Sequence, residues 1–168
     1  MCARYICVRP VTALDKEPLS KMPPYSRSMA DDFSCSEDIL VADSNGLVYG
    51  AVSVSRKEVS CVSGEWRNDF DQHLPSLTKV VGGWISKLFV LPEYRHKGIG
   101  TRLVEEAIEH ARKKEFAEAY AGIYVKNMCR IFSLHIFVKL GFKQVGSCIC
   151  FLTNGQCRGL LLEKELSR

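Results

Sequence analysis

No apolar stretch in this chain approaches the roughly 20 residues of a membrane-spanning helix, because Lys, Arg, Asp or Glu interrupts every hydrophobic run. The first thirty residues lack the apolar segment of a secretory leader as well, since Arg4, Arg9, Asp15, Lys16, Glu17 and Lys21 punctuate them. The ending Glu165-Leu166-Ser167-Arg168 is no prenylation signal. A cytoplasmic chain without a membrane partner is expected. Long Lys/Arg runs are missing too, and 23 basic against 19 acidic side chains leave a net charge of +4. No nucleic-acid partner is expected from that. Cysteine is not scarce, at 8 residues, but no Cys-x-x-Cys pair and no zinc-like Cys/His spacing occurs. Cys148 and Cys150 would share one face of a strand. Reduced, packed thiols and no metal are the expectation.

What is present suits one globular domain over residues 1–168: hydrophobic residues make up 46% of the chain and charged ones 25%. Tyr5 to Pro10 predicts a first strand closed by proline. Residues 13–34 predict one or two short helices broken near Pro18, Pro23 and Pro24. Ile39–Ala42 and Leu47–Ser55, around Asp43-Ser44-Asn45-Gly46, predict a hairpin. Residues 57–83, with Gly64, Pro75, Gly82 and Gly83, predict a long irregular connection with room for a short helix. Trp84–Leu91 predicts a strand ended by Pro92. From Gly98 onward, Ile99, Leu103, Ala107 and Ala111 recur every four residues and Val104 and Ile108 widen the stripe, which predicts an amphipathic helix. Its acidic residues come early and His110, Arg112, Lys113 and Lys114 late, as the helix dipole favours. A strand (119–125), a helix (129–140, stopped by Gly141) and strands near 142–152 and 159–166 follow. This order predicts an α/β (α+β mixed) fold with a mixed sheet.

The informative stretch is Val90-Leu91-Pro92-Glu93-Tyr94-Arg95-His96-Lys97-Gly98-Ile99-Gly100-Thr101. A buried strand runs through a two-glycine loop straight into a helix start, where unpaired N–H groups and the positive end of the dipole collect. Arg95, His96 and Lys97 add charge and donors, so phosphate oxygens suit the site. Gly-Lys-[Ser/Thr] is absent, and Leu103 stands where a dinucleotide fingerprint needs its third glycine. Without its flanks, Gly-x-Gly could equally be a plain strand-to-helix turn.

With its flanks, the stretch resembles motif A of the GNAT superfamily of N-acetyltransferases: Arg95-x-x-Gly98-x-Gly100 after Leu88-Phe89-Val90-Leu91-Pro92-Glu93-Tyr94. Leu140-Gly141-Phe142 after a helix is similar to that superfamily's ending, and Ile6 to Pro10 to its first strand. The resemblance implies a twisted mixed sheet of six to seven strands flanked by about four helices, with a cleft between the fourth and fifth strands for acetyl-CoA. It implies that the pyrophosphate lies on the N–H groups of His96, Lys97, Gly98, Ile99, Gly100 and Thr101, with Arg95 beside them. Pantetheine would pair with Leu88, Phe89 and Val90 like an added strand. An N–H freed by a bulge, at Leu88, would bind the thioester oxygen. The amine would attack directly, with no acyl-enzyme.

The chain departs from the family pattern in three places. Phe137 stands where many relatives have a tyrosine that protonates the CoA thiolate, and its ring is expected to face the sulfur in an open cleft. Trp84 to Val90 holds no carboxylate to serve as base. Arg130 takes the place of the family's helix asparagine, leaving Asn127 to reach the cofactor through a longer turn; Ser133, one helical turn before Phe137, shares its face. His73 in the long connection and Tyr124 on the fifth strand are the base candidates, His73 having the ordinary alternative of an exposed loop histidine and Tyr124 that of a lining residue. His110 and His135 are read as structural. Asp31, Asp32, Glu37, Asp38, Glu58, Glu65, Asp69 and Asp71 suggest a cationic acceptor, or only a solvated surface. The expectation is transfer of acetyl from acetyl-CoA to a primary amine, a small molecule rather than a protein. A GNAT-like sensor or scaffold that binds acyl-CoA is the alternative, and a homodimer is left open.

Overall fold

A computed structural model describes residues 6–26, 37–62, 77–124, 129–152 and 155–166. Seven strands form one sheet: β1 Cys7–Pro10, β2 Glu37–Ser44, β3 Leu47–Val62, β4 Leu77–Val90, β5 Glu118–Tyr124, β6 Lys143–Leu152 and β7 Gly155–Glu165. They lie in the order β1-β2-β3-β4-β5-β7-β6, and only the β4–β5 pairing is parallel. The helices are α1 Lys16–Ser20, α2 Pro23–Ser26, α3 Ile99–Lys113 and α4 Cys129–Lys139, with 3₁₀ turns at Ala13–Asp15 and Pro92–Tyr94. The expected mixed fold, strand number and helix number are those found. Among the described residues, no helix is long and apolar enough to cross a membrane.

Local chemistry explains several elements. Asn45 and Gly46 both have positive φ (52° and 79°), as the tight turn between right-twisted strands β2 and β3 requires. All six residues of the predicted α3 stripe are buried. α4 ends in a Schellman arrangement: Gly141 has φ 86°, its N–H bonds Val138 O at 3.0 Å, and the Phe142 N–H bonds Phe137 O at 3.0 Å. That motif brings the two flanking side chains together, and Phe137 and Phe142 meet edge to face with centroids 5.0 Å apart.

The sheet separates two apolar layers. Val52 and Val54 of β3 and Ile85 of β4 pack with α3 and Phe137 on one face; Ala51 packs with Leu19, Met22 and Tyr25 of the α1–α2 segment on the other. The alternation follows from the period-two geometry of a strand.

The expected irregular connection at 57–83 is corrected. β3 continues to Val62 and β4 begins at Leu77, paired from Gly50↔Val90 out to Val62↔Leu77. His73 and the other residues between these strands lie outside the described residues. Gly82 and Gly83, expected in that connection, sit within β4, where neighbours come too close for a side chain. A Cβ on Gly82 would lie 2.7 Å from the Tyr120 ring, and one on Gly83 2.8 Å from the Phe116 ring. β7 likewise starts at Gly155 rather than 159. The far end of β3 also pairs with β6, Cys61 opposite Cys148 and Val62 opposite Ser147, so β3, β4, β5, β7 and β6 close into a ring.

Charge pins the first strand. Arg9 donates to both Asp15 oxygens, at 2.7 and 2.9 Å, and to Asp43 at 3.1 Å; the Thr12 N–H and hydroxyl also donate to Asp15. The Asp15 side chain is 4% exposed. The Arg9 hydrogen bonds, helped by Thr12, outweigh desolvation and hold the Asp15 carboxyl down at about 2. A depressed carboxyl pKa stabilises the fold fully above its unfolded value of 3.8, and the contribution is lost as pH falls toward 2. At about 1.4 kcal/mol per unit, this group contributes on the order of 2 kcal/mol. Urea unfolding from about pH 5 to about pH 2 should show that loss in the wild type and lack it in Asp15→Asn; identical pH profiles would exclude the assignment.

Candidate active site

Among the described residues, β4 and β5 pair at Gly83↔Ala119, Trp84↔Tyr120 and Ile85↔Ala121. Beyond Ile85, β4 stays with β3 while β5 stays with β7, so a cleft opens between residues 86–90 and 122–124. It lies between the fourth and fifth strands, as expected. One edge of β4 is therefore without a strand partner. Leu91 donates its N–H to Tyr49 O at 2.9 Å on β3, so strand alternation turns the polar groups of Val90 the other way, toward the cleft. Arg95 Nε donates to the Val90 carbonyl at 3.0 Å.

The same strand is bulged. Ser53 opposes Ser86 and Ala51 opposes Phe89, which leaves Val52 facing both Lys87 and Leu88. Lys87 has φ 53°, a left-handed conformation rare for a residue with a side chain. The bulge falls in the stretch where the family resemblance implied one. The Lys87 carbonyl accepts a hydrogen bond from the Tyr25 hydroxyl at 2.8 Å, and Ser53 Oγ stands 3.5 Å from that hydroxyl.

The chain from β4 to α3 makes the second wall. His96 and Gly98 both have positive φ, 60° and 79°. Gly98 is the helix N-cap and makes no side-chain cap. The first intrahelical bond runs from the Arg102 N–H to Gly98 O at 3.1 Å. The N–H groups of Ile99, Gly100 and Thr101 thus have no intrahelical acceptor, and the first turn holds no acidic residue to neutralise the dipole. Arg95, His96 and Lys97 are exposed around this end. Arg95 lies over the Phe89 ring at 5.7 Å; Lys97 lies over Tyr94 at 5.1 Å and donates to Glu93 O at 3.0 Å. Gly100 has a packing reason beside any ligand: a Cβ there would sit 3.1 Å from Ile136 Cδ1 of α4.

The structure thus gathers Leu88, Phe89, Val90 and the 95–101 segment at one cleft. Ser133 is half-buried on α4. Tyr124 ends β5 opposite Gly159. Asn127 and His73 lie outside the described residues. Two expectations need correction. Asp38, read as a possible acceptor carboxylate, is tied to the end of α3, 3.0 Å from His110 Nε2 and 3.1 Å from Lys114 Nζ. Burial opposes its ionisation, but the His110 and Lys114 hydrogen bonds prevail and hold its carboxyl below the usual value. Phe137 does not present its ring to an open cleft. It is 3% exposed within the α3-side core, because the Schellman turn draws it onto Phe142.

Sequence reasoning missed Tyr25, Ser53 and the pair Tyr120–Glu163, in which the phenol donates to the carboxylate at 3.0 Å. Cross-strand register sets Ser55, Trp84, Tyr120 and Glu163 in one row on the face opposite α3. No local pattern announces such a row. Among the described residues, no group of His, Cys, Asp and Glu is arranged to hold a metal ion.

Phe137→Tyr should bury a hydroxyl among apolar neighbours and cost about 1–3 kcal/mol. Denaturant unfolding checks this. A variant as stable as the wild type would mean that the ring tip reaches water or a polar partner after all.

Residues 12–142 match the acetyltransferase (GNAT) family. An uncharacterized N-acetyltransferase of Archaeoglobus fulgidus is 50% identical over 42 residues, 24% of this chain and 29% of that protein. One from Methanocaldococcus jannaschii is 34% identical over 62 residues, 36% of this chain and 25% of that protein. The aligned parts are thus less than a third of either relative. A GNAT family acetyltransferase from Elizabethkingia anophelis, solved with acetyl-CoA bound, shares the fold with a TM-score of 0.63 at 19% identity, over 97% of this chain and 99% of that one. With the family match spanning most of the chain and the parted strands meeting an uncapped helix start, this protein belongs to the GNAT family of acetyltransferases.

Proposed function

We propose that this chain moves an acetyl group from acetyl-CoA directly onto a primary amine, a small molecule rather than a protein. The observation that carries the reading is the start of α3, with three N–H groups lacking intrahelical acceptors and no acidic residue in its first turn, set beside the edge of β4 that pairs with no strand among the described residues. Acetyl-CoA, when bound, supplies the acetyl group as an activated thioester. The N–H groups of Ile99, Gly100 and Thr101 suit its pyrophosphate. The Leu88–Val90 edge suits the amides of pantetheine, and the Leu88 N–H suits negative charge developing on the thioester oxygen. In the transfer a C–N bond forms and the C–S bond breaks. The amine must lose a proton and the sulfur can take one from water, since a thiol-like pKa near ~8.5 makes the thiolate a tolerable leaving group. That chemistry does not need an acid at Phe137.

The proton of the amine we assign, through water, to Glu163 and its partner Tyr120. They lie on the sheet face opposite α3, in the same cross-strand row as Trp84, one residue before the strands part. What supports a small acceptor is the pairing of the far end of β3 with β6, which links β3, β4, β5, β7 and β6 in a ring and argues against a long open groove for a peptide.

A panel of primary amines with acetyl-CoA and a thiol-release readout tests the reaction. Acetyl-CoA at 100 times its dissociation constant should add roughly 2.7 kcal/mol of stability, a melting shift of several degrees at about 2–4 °C per kcal/mol. Absence of both turnover and shift would defeat the proposal, and a shift without turnover on any amine would favour a sensor or scaffold. Glu163→Gln should lower turnover by about 10²-fold or more. Wild-type rates in that variant would discharge Glu163 from the role.

A further inference from the structure

We propose that Tyr25 is a positioning residue for acetyl transfer: its hydroxyl fixes the peptide plane whose N–H, that of Leu88, meets the thioester oxygen. The inference rests on the function proposed above and adds to it the group that aims the Leu88 N–H.

The argument is covalent geometry. The Lys87 carbonyl and the Leu88 N–H belong to one planar trans peptide and point in opposite directions. Whatever grips the carbonyl therefore aims the N–H. In a regular ladder the neighbouring strand would grip it, but here Val52 faces two residues and Lys87 sits at φ 53°. The Tyr25 hydroxyl bonds the Lys87 carbonyl at 2.8 Å. The Leu88 N–H then points away from Tyr25 and the α1–α2 layer. It is an even number of residues from Val90, whose polar groups face the cleft, so both turn to the same free edge.

Two features make the grip firm. Tyr25 is fully buried, with its ring in the cluster of Leu19, Met22, Val41, Val48 and Ala51. Ser53, also fully buried, can donate to the Tyr25 oxygen at 3.5 Å, which leaves the phenol proton directed at Lys87 O. The sequence Ser53 to Tyr25 to peptide 87–88 polarises in one sense, and each bond strengthens the next donor. A donor aimed before charge develops needs no reorganisation during reaction, which is the condition for electrostatic catalysis. α2, through one residue, thereby sets the bulge on the strand that the acetyl group must approach.

The test uses the full chain and the conservative variant Tyr25→Phe, which keeps the ring and removes the hydroxyl. With the fastest amine of the panel, kcat should fall about tenfold or more, while the acetyl-CoA KM and the CoA dissociation constant stay within about twofold. Removing an oxyanion donor outright costs about 10²–10³-fold, and misaiming one should cost less. Ser53→Ala leaves the Tyr25–Lys87 bond in place but removes its supporting donor, so kcat should fall by less than in Tyr25→Phe. Equal kcat in Tyr25→Phe, a parallel loss of CoA affinity, or an equal fall in Ser53→Ala would each overturn the positioning role. A second readout does not depend on turnover. In ¹⁵N-labelled protein, the Leu88 amide proton should move on adding acetyl-CoA but much less on adding CoA, and Tyr25→Phe should abolish that difference. If no amine is acetylated yet the amide difference is seen and abolished, the transfer reading fails and the positioning geometry stands. If amines are acetylated and the variant retains the amide difference, the reverse holds.

Discussion

The short parallel ladder between β4 and β5 is the constraint on which the site depends. Among the described residues three pairs hold the two strands together, and the next residue of β4, Ser86, pairs with Ser53 of β3. A longer ladder would satisfy the Val90 and Leu88 edge internally and leave nothing for a ligand to pair with. A shorter one would leave β4 without the register that places Trp84 beside Tyr120. Gly82 and Gly83 help set this balance, because their missing side chains let Tyr120 and Phe116 come against β4 just before the strands part.

Each wall of the resulting cleft is held from behind by its own packing. The α3 layer supports Leu88 and Val90, and the α1–α2 layer supports Phe89 and grips the bulge through Tyr25. At the mouth, Arg95 ties the loop to the end of β4, while Lys97 and Tyr94 stack on one another. The opposite end of α3 is anchored by Asp38 of β2 to His110 and Lys114, where positive charge also suits the helix dipole. The helix start is thereby held at the end of β4, where the N–H groups of its first turn have no intrahelical acceptor.

The burial of Phe137 changes how the chemistry is understood. In an open cleft the absent hydroxyl would be a gap in the machinery; in the core, the ring completes the C-terminal turn of α4. A thiolate that leaves unaided fits such a site. The polar pair nearest the parting of the strands is Tyr120 and Glu163, on β5 and β7.

The amino-acid sequence by itself determined what short-range physics controls. The period of the α3 stripe, the Asn45-Gly46 turn, the glycine that ends α4 and the loop leading into a helix start were all legible, because each depends on residues a few positions apart. The bulge at Leu88 was legible only through resemblance to a family. What the tertiary structure alone decided depends on partners far along the chain. Gly82 and Gly83 read as part of an irregular connection until the rings of Tyr120 and Phe116 filled the space beside them. Asp38 read as an acceptor carboxylate until α3 brought His110 and Lys114 to it. Tyr25, 62 residues from Lys87, carried no local signal at all. A residue's backbone preference is written in its neighbours, but the direction of a peptide plane is set by whatever the fold places against it.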